Sequence, residues 1–360
     1  AAERAEELLE RLVGLYREAR DPKRKRELSP NTLIFNAVID AWGKSRDPRA
    51  GYKSEALLVR MRSLSDEDPD LRGQLEPDEF SYNSCINSHA NSRQRDSASL
   101  AEGVLKRMQE GGTVPPNSIS YNSVLNAWSK SSLPVAADRA EAVLLHMIRL
   151  HKSGQNPHVR PSVFSFSPVM NARARSRTDP TKARRTRDVL RMLAEVYEAS
   201  GRTDDDLRPN SFCYNAALNA AAFSADFDEE ARRDALKSAV ETFEDMRRDG
   251  YCAPDSVSYG TMLKIVANLM PMGEVRTRMA TQMFERCREE GQVGEMVLNE
   301  LARAVPKRSF DNLVARRVRG RRGLRIETRD LPREWTRNVR ERGTYLGRRK
   351  KVKDGNPTRD

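Results

Sequence analysis

The sequence predicts an all-α protein, a solenoid of stacked helical hairpins. One amphipathic pattern occurs five times, a second apolar pattern follows each copy, and a proline-containing phrase closes each stretch. Repeats at intervals of about 20–50 residues are typical of stacked supersecondary units. A single helical hairpin cannot bury its apolar face, so successive hairpins are expected to share one continuous core.

The first pattern of each repeat is a helix in which an aromatic or apolar residue is followed by Asn, or once by Ser. In SISYNSVLNAWSK (118–130), Tyr121, Val124, Leu125 and Trp128 lie at i, i+3, i+4 and i+7. This spacing places them on one helix face. The other copies are TLIFNAVIDAWGK at 32–44, EFSYNSCINSHAN at 79–91, VFSFSPVMNARAR at 163–175 and SFCYNAALNAAAF at 211–223.

The second pattern is an apolar pair followed by another apolar residue at i+4, which predicts the second helix of each hairpin. Its copies are Leu57–Leu58–Met61, Val104–Leu105–Met108, Val143–Leu144–Met147 and Val189–Leu190–Leu193. Leu8–Leu9–Leu12 repeats the pattern in a partial unit over 1–31. We expect the first helix of that unit, and any targeting segment, to precede residue 1 in a longer chain.

Each repeat ends with a proline followed by Asp, Asn or Ser, directly before the next helix. Such a side chain accepts hydrogen bonds from the unpaired N–H groups of the first helical turn, which predicts an N-cap. The closing residues are Asn31, Asp78, Asn117, Ser162, Asn210 and Asp255. They delimit complete units at 32–78, 79–117, 118–162, 163–210 and 211–255, a degenerate unit at 256–294 and a terminal helix to 306.

A polar stripe recurs on the first helices, at the residue after the aromatic and at i+4 and i+8. Its members are Asn36, Asp40 and Lys44; Asn83, Asn87 and Asn91; Asn122, Asn126 and Lys130; Ser167, Asn171 and Arg175; and Asn215 and Asn219. A carboxamide presents both a donor and an acceptor, which suits the Watson–Crick edge of an unpaired base.

Two further sets of side chains accompany this stripe. The apolar residues three positions before each Asn or Ser are expected to sandwich the base between adjacent units, and they are Leu33, Phe80, Ile119, Phe164 and Phe212. Basic residues two turns further along are placed to contact phosphate, and they are Lys44, Lys130 and Arg175.

The Tyr-Asn start and the Pro-Asp/Asn/Ser end recur together, and over roughly residues 1–294 this arrangement resembles the pentatricopeptide repeat family. The likeness is to a P-type array with lengthened repeats, since these units run 47, 39, 45, 48 and 45 residues against about 35 in the family. We expect the extra residues between the two helices and before the closing turn. The resemblance implies a right-handed α-α superhelix that binds single-stranded RNA, with no cofactor.

The family's base code uses the fifth and last residues of each unit. Here the resemblance pairs Asn36 with Asp78, Asn83 with Asn117, Asn122 with Ser162, Ser167 with Asn210, and Asn215 with Asp255. In the family, Asn with Asp favours U, Asn with Asn or Ser favours C or U, and Ser with Asn favours A. The implied target is 5′-U-(C/U)-C-A-U-3′. The sixth unit has Gly260 at the fifth position and is expected to read nothing.

The net charge of +12 is concentrated at one end of the chain. Residues 307–360 contain 19 Lys/Arg and 7 Asp/Glu, a net +12, so the preceding 306 residues are neutral overall. Basic density with few apolar residues predicts a tail that is largely disordered or folds on a partner, and Arg-rich segments of this kind bind RNA backbone. The alternatives are a solvated extension and a segment that binds a protein or ribosomal partner. Leu331 and Trp335 of LPREW are expected to anchor the tail locally on the last helices.

Enzymatic and membrane functions find little support. The four histidines form no HExxH or His/Cys ligand set, and no glycine-rich phosphate loop or GxSxG motif occurs. We expect His89 in the core, and the acidic runs 66–70 and 204–206 in solvated loops. With a mean hydropathy of −0.74, no apolar run approaches the roughly 18–20 residues that span a bilayer. Four cysteines without CxxC spacing predict a reduced compartment.

The sequence therefore predicts a non-enzymatic RNA-binding protein. The resemblance alone suggests a mitochondrion or plastid and a role in RNA processing, stability or translation, beside other RNA-processing or ribosomal proteins of the organelle. The alternative is a helical scaffold that docks proteins, for example in an organelle ribosome or an assembly complex. The amide-rich stripe favours RNA, because a protein-docking groove is expected to be apolar or charge-matched.

Overall fold

The computed structural model of the protein describes residues 1–92, 94–314 and 327–339. These residues form α-helices and short 3₁₀ turns, with no β-strand among them. The all-α fold predicted from the repeats is therefore confirmed. The chain divides into two compact units, Ala1–Thr242 and Phe243–Asp360.

The first helix of each repeat begins at the residue after the predicted closing residue. The closing residues adopt extended backbone conformations as N-caps, and Asp78 Oδ1, for example, accepts from the Ser81 N–H at 2.8 Å. These helices are α3 (Thr32–Ser45), α5 (Glu79–Asn91), α7 (Ser118–Lys130), α9 (Val163–Arg175), α11 (Ser211–Ala222) and α13 (Ser256–Leu269).

A second helix follows each first helix, the first four of these carry the predicted apolar triplets, and the partial unit begins with a helix of the same kind. These helices are α4 (Ala50–Glu67), α6 (Ser97–Gly111), α8 (Ala136–Ser153), α10 (Lys182–Ala199), α12 (Glu229–Arg248) and α14 (Glu274–Glu289), with α1 (Ala2–Glu18) and the short α2 (Pro22–Glu27) before α3. Only four to six residues join the two helices of a hairpin, whereas up to eleven follow the second helix. The extra length expected between the helices is therefore not there.

Within the unit Ala1–Thr242, the first helices α3, α5, α7 and α9 each pack on the next first helix and on both neighbouring second helices. Phe35, Trp42, Tyr121 and Phe166 of the predicted apolar face are fully buried in this stack. On α1 the pattern holds less well. Leu8 is 58% exposed, while Leu9, Val13 and Tyr16 are buried, so the buried face of α1 is rotated from the expected triplet.

In the unit Phe243–Asp360, α13 and α14 pack with α15 (Glu295–Ala304). A Cβ added at Gly260 of α13 would lie 2.7 Å from Cγ of Met296 on α15. Glycine at the fifth position of this repeat thus allows α15 to pack closely against α13. Helix α15 covers the position that the Asn occupies in other repeats. This packing supports the expectation that the sixth unit reads no base.

The described residues of the basic C-terminal segment include two short helices. Helix α16 (Lys307–Leu313) and the short helix α17 (Arg333–Thr336) lie within it. Leu331 and Trp335 are buried, and the Trp335 ring packs edge-on against Phe284 of α14 at 5.9 Å between centroids. Apolar burial holds residues 327–339 in place. The tail outside 307–314 and 327–339 lies beyond the described residues.

Candidate functional site

In the first two complete repeats, the fifth residue lies close to the closing residue of the same repeat. Asn36 Nδ2 donates to Asp78 Oδ1 at 3.1 Å, and Asn83 Nδ2 lies 3.5 Å from Asn117 Oδ1. The two members of each pair are 42 and 34 positions apart in sequence. They meet because the closing residue caps the next first helix, and that helix packs against the one that carries the Asn.

A serine of the following repeat joins each of the first three pairs. Ser81 Oγ donates to Asn36 Oδ1 at 2.5 Å, and the equivalent bonds are Ser120 to Asn83 at 2.6 Å and Ser165 to Asn122 at 2.8 Å. These serines are the third residues of their repeats and are completely buried. Sequence reasoning missed them, although the recurring third-position serine in EFS, SIS and VFS is a visible signal.

The fourth site differs from the first three. Its fifth residue is Ser167, whose hydroxyl donates to the Val163 carbonyl at 2.7 Å and lies 3.9 Å from Cys213 Sγ. The closing residue Asn210 accepts from the Cys213 N–H at 3.2 Å. In the fifth pair, Asn215 is buried on α11 and Asp255 caps α13, with one residue in each compact unit.

The predicted base-stacking residues form a row of exposed apolar side chains on the first helices. Leu33, Phe80, Ile119, Phe164 and Phe212 are between 54 and 76% exposed. Scattered exposed apolar residues are common, but here the same position is apolar and exposed in every complete repeat. Val257, at the same position of the sixth repeat, is also exposed and was not among the predicted residues.

The predicted phosphate-contacting residues are all exposed, but two have contacts within the fold. Lys44 Nζ forms an ion pair with Asp40 at 2.5 Å, and Arg175 Nη1 donates to the Ser129 carbonyl at 3.3 Å. Exposed ion pairs contribute about 0–1 kcal/mol, so the Lys44 side chain can reorient at little cost. Phosphate contact by Lys44, Lys130 and Arg175 stays a prediction.

The remaining polar residues of the stripe are more exposed to solvent than the fifth residues. Asn87 and Asn126 are exposed, while Asp40, Asn171 and Asn219 are half-buried. The fifth residues are deeper, with Asn36 only 4% and Asn83 8% exposed. In the first two complete repeats, a nearly buried amide thus lies between an exposed apolar residue and a polar residue that is at least half-exposed.

His89 has the core position that was predicted for it. It is buried, and its Nε2 lies 3.1 Å from Glu55 Oε2. Hydrogen bonds from His89 and from Arg107 hold the pKa of Glu55 below its ordinary value. This contact lies on the face of α5 away from Asn83, so it belongs to the packing between hairpins.

The acidic loops bind neighbouring side chains. Asp68 accepts from the Tyr16 hydroxyl at 2.8 Å and pairs with Lys25 at 3.2 Å, and Asp204 pairs with Arg160 at 3.1 Å. No group of three or more potential metal ligands occurs in the described part of the chain. Within the same residues, no helix has both the length and the apolar character for a membrane crossing.

Comparison with known proteins supports the repeat assignment. Residues 71–131 match the family model of the pentatricopeptide repeat domain. No curated protein matches the chain. Among solved structures, it is similar to the crystal structure of the pentatricopeptide repeat protein PPR10 from maize, at 18% identity and a TM-score of 0.47, over 88% of this chain and 42% of that chain. This chain therefore spans less than half the length of that one.

The matched residues contain α5, α6 and α7, with the closing residue Asn117 between the second and third of these helices. The same first helix, second helix and capping residue recur in register on both sides of the match. Residues 71–131 thus match the pentatricopeptide repeat domain, and they lie within a longer array of the same helical hairpins.

Proposed function

We propose that the protein binds single-stranded RNA along its first helices and reads one base per repeat. The observation that carries this proposal is the meeting of the fifth and closing residues, next to an exposed apolar side chain, in successive repeats. One base per helical repeat, read by two or three side chains, is the known mode of such arrays.

The exposed apolar row supplies the stacking surface. Leu33 and Phe80 belong to consecutive repeats, and Asn36 lies on the first of these two repeats at the interface of α3 with α5. A base that enters between the two apolar side chains would place its edge toward Asn36. Stacking of a base on an aromatic side chain is worth about 1–3 kcal/mol, whichever base it is.

The amide supplies the base discrimination. Asn36 uses one Nδ2 hydrogen for Asp78 and one Oδ1 lone pair for Ser81. A carboxamide has two hydrogens and two lone pairs, so one donor and one acceptor are left for a base. With the family's code, the five complete units favour 5′-U-(C/U)-C-A-U-3′.

The fourth site agrees with this assignment. The Ser167 hydroxyl donates its proton to the Val163 carbonyl, so it presents lone pairs to a ligand. The exocyclic amine of adenine is a donor that these lone pairs can accept, in line with the A expected from Ser with Asn.

The cellular part of the proposal follows from the family. We place the protein in a mitochondrion or plastid, where it acts in RNA processing, stability or translation without catalysing a reaction itself. Lys44, Lys130, Arg175 and the basic C-terminal segment supply phosphate contacts that do not depend on sequence.

The test is a binding titration with a fluorescent 15-nucleotide RNA that carries UCCAU in its centre. Three competitors are compared at one salt concentration: the same RNA unlabelled, an RNA with AGGGA in place of the motif, and a perfect duplex of the first. We expect tight competition by the unlabelled RNA only. Selection from a randomised pool determines the motif without assuming the code.

Equal competition by the UCCAU and AGGGA strands would contradict base reading. Absence of single-strand binding at low salt, together with saturable binding to a purified organelle ribosome, would instead favour the protein-docking scaffold.

A further inference from the structure

At three interfaces between repeats, the third residue of the following repeat donates a hydrogen bond to the fifth-position amide of the repeat before it. The three serines Ser81, Ser120 and Ser165 do so at 2.5, 2.6 and 2.8 Å. The same contact thus recurs at three successive interfaces between α3, α5, α7 and α9.

The direction of this bond follows from the single proton of a hydroxyl group. At each interface the backbone N–H of the closing residue donates to the serine, as from Asp78 to Ser81 at 3.1 Å and from Asn117 to Ser120 at 3.2 Å. The hydroxyl keeps one proton to give. Its shortest acceptor is the Oδ1 of the reading Asn, closer than the closing residue's own side-chain oxygen at 2.9 and 3.1 Å.

The closing residue determines where the Nδ2 group of the fifth-position Asn points. Asn117 Oδ1 already accepts from the N–H groups of Ile119 and Ser120 at 2.9 and 3.0 Å, so its oxygen must point into the helix terminus. The neighbouring Asn83 therefore directs Nδ2, its donor, toward that oxygen. At the first interface the Asp78 carboxylate, which only accepts, has the same effect on Asn36.

We propose that the third residue of the following repeat is a positioning residue for base specificity. Its hydroxyl holds Oδ1 of the reading Asn and so prevents a half-turn of the amide, which would exchange the donor and the acceptor shown to the base. The inference rests on the proposed RNA reading. It adds a third protein position to the first three base sites.

The fourth interface is a natural variant of this arrangement. Cys213 replaces the serine and Ser167 replaces the Asn, and the Ser167 hydroxyl donates within its own helix. A thiol is a weak donor, so it would hold an amide oxygen poorly. A serine fifth residue, which is held by Val163, does not need that support.

The first test needs no RNA. In ¹⁵N-labelled protein, the exchange of the Asn83 side-chain amide protons with water is measured by NMR for the wild type, Ser120→Ala and Ser129→Ala. The Ser129 hydroxyl bonds within α7, to the Asn126 carbonyl at 2.8 Å, so its removal is a matched control. We expect exchange about fivefold faster in Ser120→Ala, from the loss of one hydrogen bond of roughly 1 kcal/mol, and no change in Ser129→Ala. Equal exchange in all three proteins would overturn the proposal.

The second test measures base preference at the second base of the motif, read by Asn83 and Asn117. Ser120→Ala should lower the preference for pyrimidine over purine there by about fivefold and leave the other four bases unaffected. Loss of preference at all positions alike, or at none, would overturn the positioning role. A wild type without any base preference would contradict the proposed function, while the amide exchange would still decide whether Ser120 orients Asn83.

The third test introduces the serine hydroxyl at the fourth interface, where the chain has Cys213. It does not depend on the stability of Ser120→Ala. Ser167→Asn alone should read the fourth base weakly. Ser167→Asn combined with Cys213→Ser should select a pyrimidine there about fivefold better. Equal selection by the single and double variants would show that the third residue does not act on specificity.

Discussion

At the scale of single residues, one buried site recurs at the eleventh position of the first helices. The side chain at this position bonds to a Glu on the second helix of the preceding repeat. That Glu lies two residues before the apolar pair of the second helix. The pairs are Trp42 with Glu6 at 3.1 Å, His89 with Glu55 at 3.1 Å, Trp128 with Glu102 at 2.8 Å and Arg173 with Glu141 at 2.9 Å. A carboxylate in a protein interface needs a donor, and each of these four glutamates has one. In the fifth repeat, Ala221 stands at position eleven, and the preceding second helix has Arg187 in place of the Glu.

The Arg173 site should be the most sensitive of these. Its side chain is 1% exposed and pairs with Glu141 and with Asp138, the latter at 2.8 Å. Arg173→Met leaves these partly exposed carboxylates with Arg185 as their remaining cation, and we expect a loss of about 1–3 kcal/mol in the free energy of unfolding. Urea denaturation measures this loss. Arg185→Met is the control, because Arg185 contacts the same acids from a 39% exposed position and should cost at most about 1 kcal/mol. Equal losses would contradict the burial argument.

The pair Asn122 and Ser162 allows a change of base specificity with little change in stability. Asp already caps first helices at 78 and 255, so Ser162→Asp preserves the cap of α9. Combined with Asn122→Thr, it should move the third base from C toward G, as the family's code implies. Competition among four RNAs that differ only at this base measures the shift. If the four bind equally before and after the change, the code does not apply here.

At the scale of the element, the first helices have two apolar faces with different roles. On α9, Phe166 is completely buried in the stack while Phe164, two residues earlier, is 75% exposed. Burial of an aromatic side chain stabilises the fold by a few kcal/mol. An exposed aromatic side chain contributes little to the free energy of unfolding. The second face therefore contributes little to folding, which is what a binding surface for bases requires.

Substitution on this outer face should separate binding from stability. Phe164→Ser is expected to weaken RNA binding by about fivefold to a hundredfold, the equivalent of about 1–3 kcal/mol for one stacked base. The free energy of unfolding should stay within about 0.5 kcal/mol of the wild type. Val59→Ser is the matched control, since Val59 is 61% exposed on the second helix α4 and should affect neither quantity. An equal effect of both variants on RNA binding would argue against the stacking row.

At the scale of the whole molecule, the net charge and the proposed base-reading residues lie in different parts of the chain. Residues 1–306 are neutral overall, and 307–360 carry the entire net charge of +12. The described part of that segment is bound to the fold: the Val293 N–H donates to the Trp335 carbonyl at 2.8 Å, and the Asn338 N–H donates to the Gly291 carbonyl at 2.9 Å. A deletion meant to test charge must therefore keep residues 327–339.

Truncation after residue 339 should reduce affinity without changing base preference. The removed residues contain eight Lys/Arg and three Asp/Glu, a net +5. Each phosphate contact that is lost should lower the slope of log K against log salt by about 0.7. Titration of both proteins with the UCCAU strand and its AGGGA counterpart at three salt concentrations measures slope and preference together. Coincident slopes would show that the removed segment does not contact RNA, and a changed preference would show that it reads bases.

The sequence by itself determined the repeats, their boundaries and the apolar faces. These features depend on helical periodicity and N-capping, which are local properties of the chain. It also indicated the exposed row, because Leu33 and its equivalents fall off the buried face. Only the tertiary structure brought Ser81, Ser120 and Ser165 to the reading amides, paired Trp42 and Trp128 with distant glutamates, and placed Trp335 against Phe284. Those contacts join residues of different helices, and their geometry depends on how the helices pack, which no local pattern encodes.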